Sequence, residues 1–420
     1  MLNLSEEQSN AVELCCDFSH LIASVTGAAG TGKTSDLANV HERLVEEIQS
    51  KYSLDRDAAL DAIKLAAPTG RAAKRIEEAT GIPAMTIHRM LRFSVPTDDK
   101  DHGLPAHNKF NLMPYYAILI DEASMVPVEL RRAVIDAMRR GAIVRFFGDI
   151  NQLPPVPKEG DKPFSPFAQD LQKFPSITLT KNFRSTDGII DLADRVIKNK
   201  MPLENSQVKI HKISGIHAKG LIMNIAERID FTSDRNQIIC PTKNTTYGTS
   251  EINRAIQQKF NPTKEKITLF KKGEDDKTIA TSFKRGDKLL WTKNDYNLNL
   301  INGTLGTVLD FDIESGDIFI NADGRDIAIP ARMKTFNATT GEEYSYDPRQ
   351  QMDLGYAIST HKSQGSQFDN VLFVLSRSRA ASRQNVYTAV TRAKFKIEII
   401  NIANAMSAAL DNLVNIYAKN

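Results

Sequence analysis

One short run of small residues constrains the fold of this 420-residue chain more than any other feature of its sequence. The run matches the pattern G-x-x-x-x-G-K-[ST], in which backbone N–H groups turn inward around phosphate oxygens because no large side chain obstructs them. An apolar segment at residues 21–25 precedes it, and a helical pattern at residues 35–48 follows it. This order predicts a phosphate-binding loop at the positive end of a helix dipole. The run consists of Gly27, Ala28, Ala29, Gly30, Thr31, Gly32, Lys33 and Thr34.

The last two residues of the run carry side chains suited to a nucleoside triphosphate and its metal ion. We expect Lys33 to place its ammonium on the β- and γ-phosphates, and the hydroxyl of Thr34 to hold Mg²⁺. A glycine-rich turn that matches the pattern by chance is the alternative, and the strand and helix around the run argue against it.

Two adjacent carboxylates follow another apolar segment, at residues 117–120. Ligands gather at the carboxyl ends of strands in parallel α/β sheets, so we expect Asp121 to hold Mg²⁺ and Glu122 to polarise the attacking water. A further strand at residues 143–149 leads into a proline-stiffened turn, which would fix Gln152 near the γ-phosphate. Strands separated by helices predict a doubly wound parallel sheet.

The strand at residues 63–67 ends at Pro68 and Thr69 and leads into a helix that carries Arg71 and further basic residues. A hydroxyl and backbone N–H groups at such a junction can grip a nucleic-acid phosphate. A basic helix face is also common as a merely solvated surface, so both interpretations stay open on these residues alone. His88, taken alone, is more typical of a structural residue than of a functional one.

Composition bounds the class of protein. The length predicts at least two domains, and 41% hydrophobic with 25% charged residues is typical of a globular chain. Apolar runs are too short to span a bilayer, and the first residues lack the basic and apolar regions of a signal peptide. The three cysteines show no metal-ligand spacing, and because the neighbours Cys15 and Cys16 are poor candidates for a structural disulfide, a reducing cytoplasm is expected. A net charge of +3 is too small to indicate nucleic-acid binding by itself.

The second half of the chain repeats the pattern of strand and helix. Residues 237–244 resemble the earlier strand that ends in proline and threonine, and a helix is expected at residues 249–260. Between residues 261 and 353, short alternating strands punctuated by glycines predict an all-β insertion. A polar segment at residues 92–111, flanked by Phe93 and Phe110, predicts a small hairpin that projects from the first domain.

Taken together and in this order, the segments resemble the superfamily 1 helicases, specifically the RecD-like and Dda-like branch (superfamily 1B). The resemblance implies an α/β fold with two tandem RecA-like P-loop NTPase domains, a hairpin insertion in the first and a Src-homology-3-like β-barrel insertion in the second. The implied boundaries are 1–90 with 112–184 for the first domain, 91–111 for the hairpin, 185–260 with 354–420 for the second domain, and 261–353 for the barrel.

The resemblance also implies site residues. Gln8 would read adenine; the alternative is that it merely lies at the start of an amphipathic helix for which Ser5 is the N-cap. The cofactor-binding set would be Gln8, residues 27–34 and Gly365. The catalytic set would be Lys33, Glu122, Gln152, Arg184 and Arg392, in which the arginines neutralise charge on the γ-phosphoryl oxygens when the domains close on ATP. The DNA-binding set would be Pro68, Thr69, Arg71, Thr86, His88, Phe93, Thr242, Asn244, Thr360, His361 and Lys362.

The implied activity is that of an ATP-dependent DNA helicase that moves 5′ to 3′ on single-stranded DNA and unwinds forked duplexes. The implied setting is a cytoplasmic monomer, with no membrane contact, that works beside single-stranded-DNA-binding or other replication and repair proteins. A DNA-stimulated ATPase that remodels protein–DNA complexes without efficient unwinding is the alternative; a nucleotide-dependent binding module and a P-loop kinase fit less well. Gln367 stands where family members commonly carry Glu, which puts one ribose or DNA contact in doubt.

Overall fold

The computed structural model describes residues 4–93, 104–157, 161–183, 187–272, 278–295, 297–336 and 343–417. Its described residues form two units, the first drawn from residues 1–185 and 414–420 and the second from residues 186–336 and 340–413. Each unit contains one parallel β-sheet, so the α/β fold with two RecA-like domains is confirmed. Among these described residues, no helix is long and apolar enough to cross a membrane.

The first unit alternates strands with helices. Its helices are α1 (Glu6–Cys16), α2 (Lys33–Tyr52), α3 (Arg56–Asp61), α4 (Gly70–Thr80), α5 (Ile87–Met90), α6 (Val128–Asp136) and α7 (Pro166–Lys173), and a 3₁₀ turn spans Ala123–Met125. Its strands are β1 (Ile22–Gly27), β2 (Ile63–Ala67), β3 (Ala84–Thr86), β4 (Ala117–Ile120), β5 (Ile143–Gly148) and β6 (Ser176–Leu179). They form a six-stranded sheet in the order β3-β2-β4-β5-β1-β6.

Both faces of this sheet are covered, because successive side chains along its strands point into different cores. Leu119 packs in a cluster with residues of α1, α2 and α4, whereas Ile118 and Ile120 pack in a second cluster with residues of α5, α6 and α7. Strands that are buried on both faces have nearly continuous apolar sequences, and this pattern identifies β4 and β5 in the sequence. The predicted doubly wound arrangement is therefore confirmed for this unit.

A buried arginine holds α1 in place. Arg145 lies on β5, and its guanidinium donates hydrogen bonds to the carbonyl oxygens of Cys15 at 2.8 Å, Asp17 at 2.6 Å and His20 at 3.0 Å. Burial lowers the pKa of Arg145, but charge-assisted bonds to carbonyl oxygens offset part of that cost. The end of α1 is thereby fixed to the sheet, and Gln8 near the start of α1 is positioned with it.

The second unit is built in the same way. Its helices are α8 (Asp187–Ile197), α9 (Gly215–Arg228), α10 (Thr249–Phe260), α11 (Arg383–Val390) and α12 (Ala405–Asp411), and 3₁₀ turns span Pro348–Gln351 and His361–Ser363. The strands of its sheet are parallel and lie in the order β18-β8-β19-β20-β7. They are β7 (Val208–Ile213), β8 (Asn236–Cys240), β18 (Ala357–Ser359), β19 (Phe368–Leu375) and β20 (Ala393–Ile402). The helix predicted at residues 249–260 is confirmed by α10.

An antiparallel region separates α10 from β18. Its strands are β9 (Ile267–Lys272), β10 (Thr278–Phe283), β11 (Lys288–Trp291), β12 (Leu305–Phe311), β13 (Ile318–Ala322), β14 (Arg325–Ile329), β15 (Met333–Phe336), β16 (Glu343–Tyr346) and β17 (Met352–Leu354). A five-stranded sheet in the order β14-β13-β12-β11-β17 surrounds a core that includes the buried Trp291, and β9–β10 and β15–β16 form two hairpins. The predicted all-β character of this region is confirmed.

Part of the polar segment after α5 lies outside the described residues, which stop at Phe93 and resume at Leu104. The two ends meet in an antiparallel bridge between Phe93 and Pro105, and a second bridge joins Asn108 to Asn111. The two flanking aromatics differ. Phe93 packs against the core cluster of α5 and α6, whereas Phe110 is 87% exposed.

Candidate functional site

The phosphate-binding loop connects β1 to α2 and needs glycine for steric reasons. Gly30 and Gly32 have φ angles of 90° and 87°, in the left-handed region that favours glycine. A Cβ on Gly27 would lie 2.5 Å from the hydroxyl oxygen of Thr31. The hydroxyl of Thr31 in turn donates to the carbonyl of Ala28 at 2.9 Å. The sequence pattern thus corresponds to a backbone that larger residues could not adopt.

Three predicted ligands of the nucleotide and its metal ion come together at the carboxyl edge of the sheet. The ammonium of Lys33 lies over the loop and donates to the carbonyl oxygens of Gly27 at 2.7 Å and Ala28 at 3.0 Å. The hydroxyl of Thr34 donates to a carboxylate oxygen of Asp121 at 3.4 Å. Hydroxyl and carboxylate oxygens are the ligands that Mg²⁺ prefers, so this pair fits the predicted metal site.

Glu122 has an unusual backbone conformation. Its φ of 51° and ψ of 39° are left-handed, a conformation that is uncommon for a side-chain-bearing residue and is found preferentially at functional sites. Its N–H donates to the carboxylate of Asp121 at 2.8 Å, and its own carboxylate forms an ion pair with Arg75 of α4 at 3.8 Å. Burial, together with the neighbouring charge of Glu122, raises the pKa of Asp121 to about 6. A bound cation would reverse that shift.

Gln152 follows β5 and is almost fully buried, with 4% of its surface exposed. Its N–H donates to the carbonyl of Asp149 at 3.2 Å, so the turn is held by its backbone. Its side-chain oxygen has no hydrogen-bond partner among the described residues. An unsatisfied buried acceptor costs about 1–3 kcal/mol, which indicates a place where a water or a ligand supplies the missing donor.

Gln8, the predicted adenine reader, has both ends of its side-chain amide engaged. The oxygen accepts from the backbone N–H of Ser5 at 3.0 Å in a capping box, and the amide nitrogen donates to Asp36 at 2.7 Å. The amide nitrogen also lies near the loop, 3.0 Å from where a Cβ on Gly32 would stand. The capping role and the position beside the loop are therefore both present.

Two neighbours of Gln8 were missed by the sequence analysis. Phe183 bonds the loop through its N–H, which donates to the carbonyl of Gly30 at 2.9 Å, and its ring, 48% exposed, lies beside Gly32. A half-exposed ring next to a phosphate loop suits a nucleobase. Asp36 is fully buried on α2, and burial raises its pKa to about 6 against the opposing effects of the Gln8 hydrogen bond and Lys33. The sequence signal that could have identified Asp36 is an acidic residue on the otherwise apolar face of α2.

The two arginines predicted to neutralise charge on the γ-phosphate are Arg184 and Arg392. Arg184 lies outside the described residues. Arg392, in the second unit, is buried, and its guanidinium donates to the carbonyls of Thr388 at 2.9 Å and Ser366 at 3.2 Å and to the hydroxyl of Thr391 at 3.0 Å. These three bonds all lie within its own unit. Nearby Gly365 is buried and has a left-handed φ of 72°.

The predicted DNA contacts of the first unit lie at the carboxyl ends of β2 and β3. The hydroxyl of Thr69 accepts from the N–H of Ala72 at 3.2 Å and caps α4, and that of Thr86 caps α5 in the same way. These hydroxyls therefore shape the junctions. Pro68 and Arg71 are partly exposed, and the rings of His88 and Phe93 lie 4.9 Å apart.

The predicted DNA contacts of the second unit are of two kinds. Thr242 and Asn244 lie after β8, and Asn244 is exposed. Thr360 is fully buried, and its hydroxyl lies 3.0 Å from the side-chain oxygen of Asn385. Its side chain bonds Asn385 of α11 and the carbonyl of Cys240 at the end of β8, so it lies inside the unit rather than at the surface. His361 and Lys362, on that turn, are partly exposed, and burial lowers the pKa of both.

Comparison with known proteins gives matches at three levels. A family model described as an AAA domain matches residues 3–217, and one described as a UvrD-like helicase C-terminal domain matches residues 354–399. The ATP-dependent RecD2 DNA helicase of Deinococcus radiodurans is 30% identical over 413 residues, which cover 97% of this chain and 50% of that protein. The RecBCD enzyme subunit RecD of Mycolicibacterium smegmatis is 26% identical, covering 97% of this chain and 72% of that subunit. The chain thus spans half of the length of the Deinococcus relative.

Solved structures share the fold. A Bacteroides Pif1 helicase in complex with ADP-AlF3 and single-stranded DNA superposes with a TM-score of 0.58 at 21% identity, covering 95% of this chain and 92% of that one. A Pif1 helicase from a structural study of unwinding at forked double-stranded DNA gives a TM-score of 0.59 at 20% identity, with 100% and 95% coverage. At such identity the likeness speaks for the fold.

Proposed function

This chain belongs to the AAA-domain family and to the RecD-like superfamily 1B helicases, and we propose that it is an ATP-dependent DNA helicase. It would move 5′ to 3′ on single-stranded DNA and separate the strands of a forked duplex. The observation that carries the proposal is the convergence of Lys33, Thr34 and Asp121 at one edge of the first sheet. Gln152, whose buried oxygen has no partner among the described residues, follows β5, the strand beside β4. That set provides what phosphoryl transfer from ATP to water requires.

Each group has one proposed task in hydrolysis. Lys33 exchanges the carbonyls of Gly27 and Ala28 for the β- and γ-phosphates when ATP binds. Thr34 and Asp121 would hold Mg²⁺, which would supply charge neutralisation at the phosphate oxygens. Glu122 orients the attacking water and accepts its proton, and the side chain of Gln152 senses the γ-phosphate.

The nucleobase is proposed to lie beside the loop. Gln8 contacts its polar edge, and Phe183 offers the face of its ring. Arg184 and Arg392 are proposed to neutralise the charge that develops on the γ-phosphoryl oxygens, and Gly365 to approach the nucleotide closely. For Arg392 this requires that its guanidinium leave the carbonyls of Thr388 and Ser366 during turnover. Such a requirement ties hydrolysis to a conformational change.

The remaining elements are proposed to handle DNA, together with the DNA-contacting residues given above. The antiparallel region between α10 and β18 is proposed to be a Src-homology-3-like barrel, and residues 91–111 to be a wedge at the fork. The chain is proposed to work as a monomer beside single-stranded-DNA-binding proteins.

A DNA-stimulated ATPase that remodels protein–DNA complexes without efficient unwinding is the second candidate, because the same ATP site would serve it. A forked duplex with a fluorophore and a quencher at its end separates the two functions. The helicase releases the labelled strand with ATP and releases none with a non-hydrolysable analogue. The remodelling ATPase hydrolyses ATP with single-stranded DNA yet leaves the duplex paired. Lys33→Ala serves as the inactive control, because no other side chain of the loop brings a cation to the phosphates.

A further inference from the structure

The ion pair between Arg75 and Glu122 connects the predicted nucleic-acid contact near Thr69 with the proposed ATP site. Arg75 lies on α4, the helix that begins directly after the predicted phosphate contact at Thr69. Its guanidinium stands 3.8 Å from the carboxylate of Glu122, the proposed acceptor of the water proton. Both residues belong to the first unit, so the contact is internal to it.

The surroundings of the pair give it influence over Glu122. The side chain of Glu122 is 12% exposed and that of Arg75 is 33% exposed, so the pair is screened less than one on an open surface. The left-handed backbone of Glu122 fixes the direction in which its side chain leaves the chain. The contacts of the side chain, including the ion pair with Arg75, then determine the position of the carboxylate. At 3.8 Å the pair is an ion pair without a short hydrogen bond, which makes the partner of Arg75 exchangeable.

The position of Arg75 on α4 places it where a phosphate of bound nucleic acid could compete with Glu122 for its guanidinium. Arg71, a predicted DNA contact, lies four residues earlier in α4, and residues at that spacing share one face of a helix. A phosphate held near Thr69 and Arg71 is therefore within the region that a long arginine side chain can sweep. Arginine binds phosphate with two parallel hydrogen bonds, which are stronger than the pair it would leave.

We propose that Arg75 is a positioning residue that couples nucleic-acid binding to ATP hydrolysis. In the absence of nucleic acid it pairs with Glu122 and keeps the carboxylate from the attacking water. A backbone phosphate of the bound strand takes over the guanidinium, and Glu122 becomes free to accept the proton. This inference rests on the proposed function and adds to it a route by which DNA stimulates turnover.

The test measures ATP turnover with and without a single-stranded oligonucleotide in wild type, Arg75→Gln and Arg75→Lys. In Arg75→Gln we expect turnover without DNA to rise about threefold to fivefold, the size expected from losing a partly exposed ion pair. The stimulation ratio should fall by about the same factor. Arg75→Lys keeps the charge and should keep most of the stimulation.

Lys74→Gln is the matched control. Lys74 lies on the same helix, carries the same charge and pairs with Glu78 at 4.0 Å rather than with Glu122. Its substitution should leave both turnover values as in wild type, whereas a general loss of positive charge would affect the two glutamine variants equally. Circular dichroism of the variants checks that α4 is retained.

Two outcomes contradict the inference, and only the second of them also contradicts the proposed helicase function. If wild type is stimulated by DNA and Arg75→Gln keeps the wild-type ratio, or loses turnover without DNA, then Arg75 does not restrain Glu122 and the proposed helicase stands. If wild type hydrolyses no ATP under either condition, the proposed function fails and the inference fails with it.

Discussion

The proposed site residues of the first unit and of the second unit differ in their hydrogen bonding. In the first unit, Gln152 has a buried oxygen without a partner among the described residues, Glu122 has a left-handed backbone, and the pKa of Asp121 is raised. In the second unit, Arg392 and Thr360 are buried with hydrogen-bond partners from their own chain. The first group includes an acceptor that a ligand would satisfy, whereas the side chains of Arg392 and Thr360 already have partners.

The difference has a physical meaning for the proposed reaction. Strain and unsatisfied polar groups are kept in folded proteins where a ligand or a reaction makes use of them. Groups that are already paired must first give up those partners, which costs free energy. The oxygen of Gln152 can therefore accept a hydrogen bond from a ligand as it stands, whereas Arg392 would first have to leave the carbonyls that it bonds.

Two substitutions are expected to have the largest effects, and Glu122→Gln is the first of them. The amide keeps the size of the side chain but is a poor proton acceptor, so turnover should fall by about 10²–10⁴-fold while ATP affinity stays near the wild-type value. Single-turnover hydrolysis and equilibrium nucleotide binding measure the two quantities separately. Glu46→Gln, on the exposed face of α2, is the control. A joint collapse of affinity and turnover would reassign Glu122 to holding the metal.

Arg392→Ala tests the proposed contribution of the second unit. If the arginine acts only after rearrangement, turnover should fall by about 10³-fold or more with little change in ATP affinity. Arg383→Ala is the matched control, because Arg383 also bonds a backbone carbonyl, that of Leu410 at 2.8 Å. Both variants lose such bonds, but only the first should lose turnover. Wild-type turnover in Arg392→Ala would remove this residue from the proposed site; Arg184→Ala is the parallel experiment.

Phe110→Ala addresses strand separation alone. The ring is exposed, and stacking on a base is worth about 1–3 kcal/mol, so its loss should slow unwinding several-fold and spare DNA-stimulated ATP turnover. Phe319→Ala, an exposed phenylalanine of β13, is the control. Phe93 is less suited to this role, since it packs against the core. Undiminished unwinding by Phe110→Ala would contradict a wedge that works through this ring.

The smallest expected effect concerns the free energy of unfolding and its dependence on pH through Asp36. The folded-state pKa of Asp36 is raised to about 6, so the stability contributed by its protonated form is fully present below about pH 4 and is lost as the pH rises through 6. Asp36→Asn cannot ionise and should gain about 2 kcal/mol relative to wild type between pH 4 and pH 8. Urea denaturation at the two pH values measures this. Asp57→Asn, exposed on α3, should show no such gain.

The sequence predicted the parts of this architecture that depend on local pattern. The loop, the strands that end in acids and α10 follow from periodicity and from residue types with a known backbone requirement. What it could not predict are contacts between segments far apart in the chain. Arg75 meets Glu122, and Asp36 meets Gln8, because the sheet brings their elements together. Arg145 was counted only as part of a strand, and its bonds to the end of α1 have no local signature.

Unwinding of 5′-tailed and 3′-tailed duplexes, compared in one experiment, tests the proposed function most directly. Both substrates carry the same duplex, the same label and a single-stranded tail of equal length, and both are mixed with protein, Mg²⁺ and ATP. We predict that the 5′-tailed duplex is separated and the 3′-tailed one is not, and that Lys33→Ala separates neither. Separation of the 3′-tailed duplex alone would contradict the proposed direction. ATP hydrolysis without separation of either duplex would contradict the helicase and leave the remodelling ATPase.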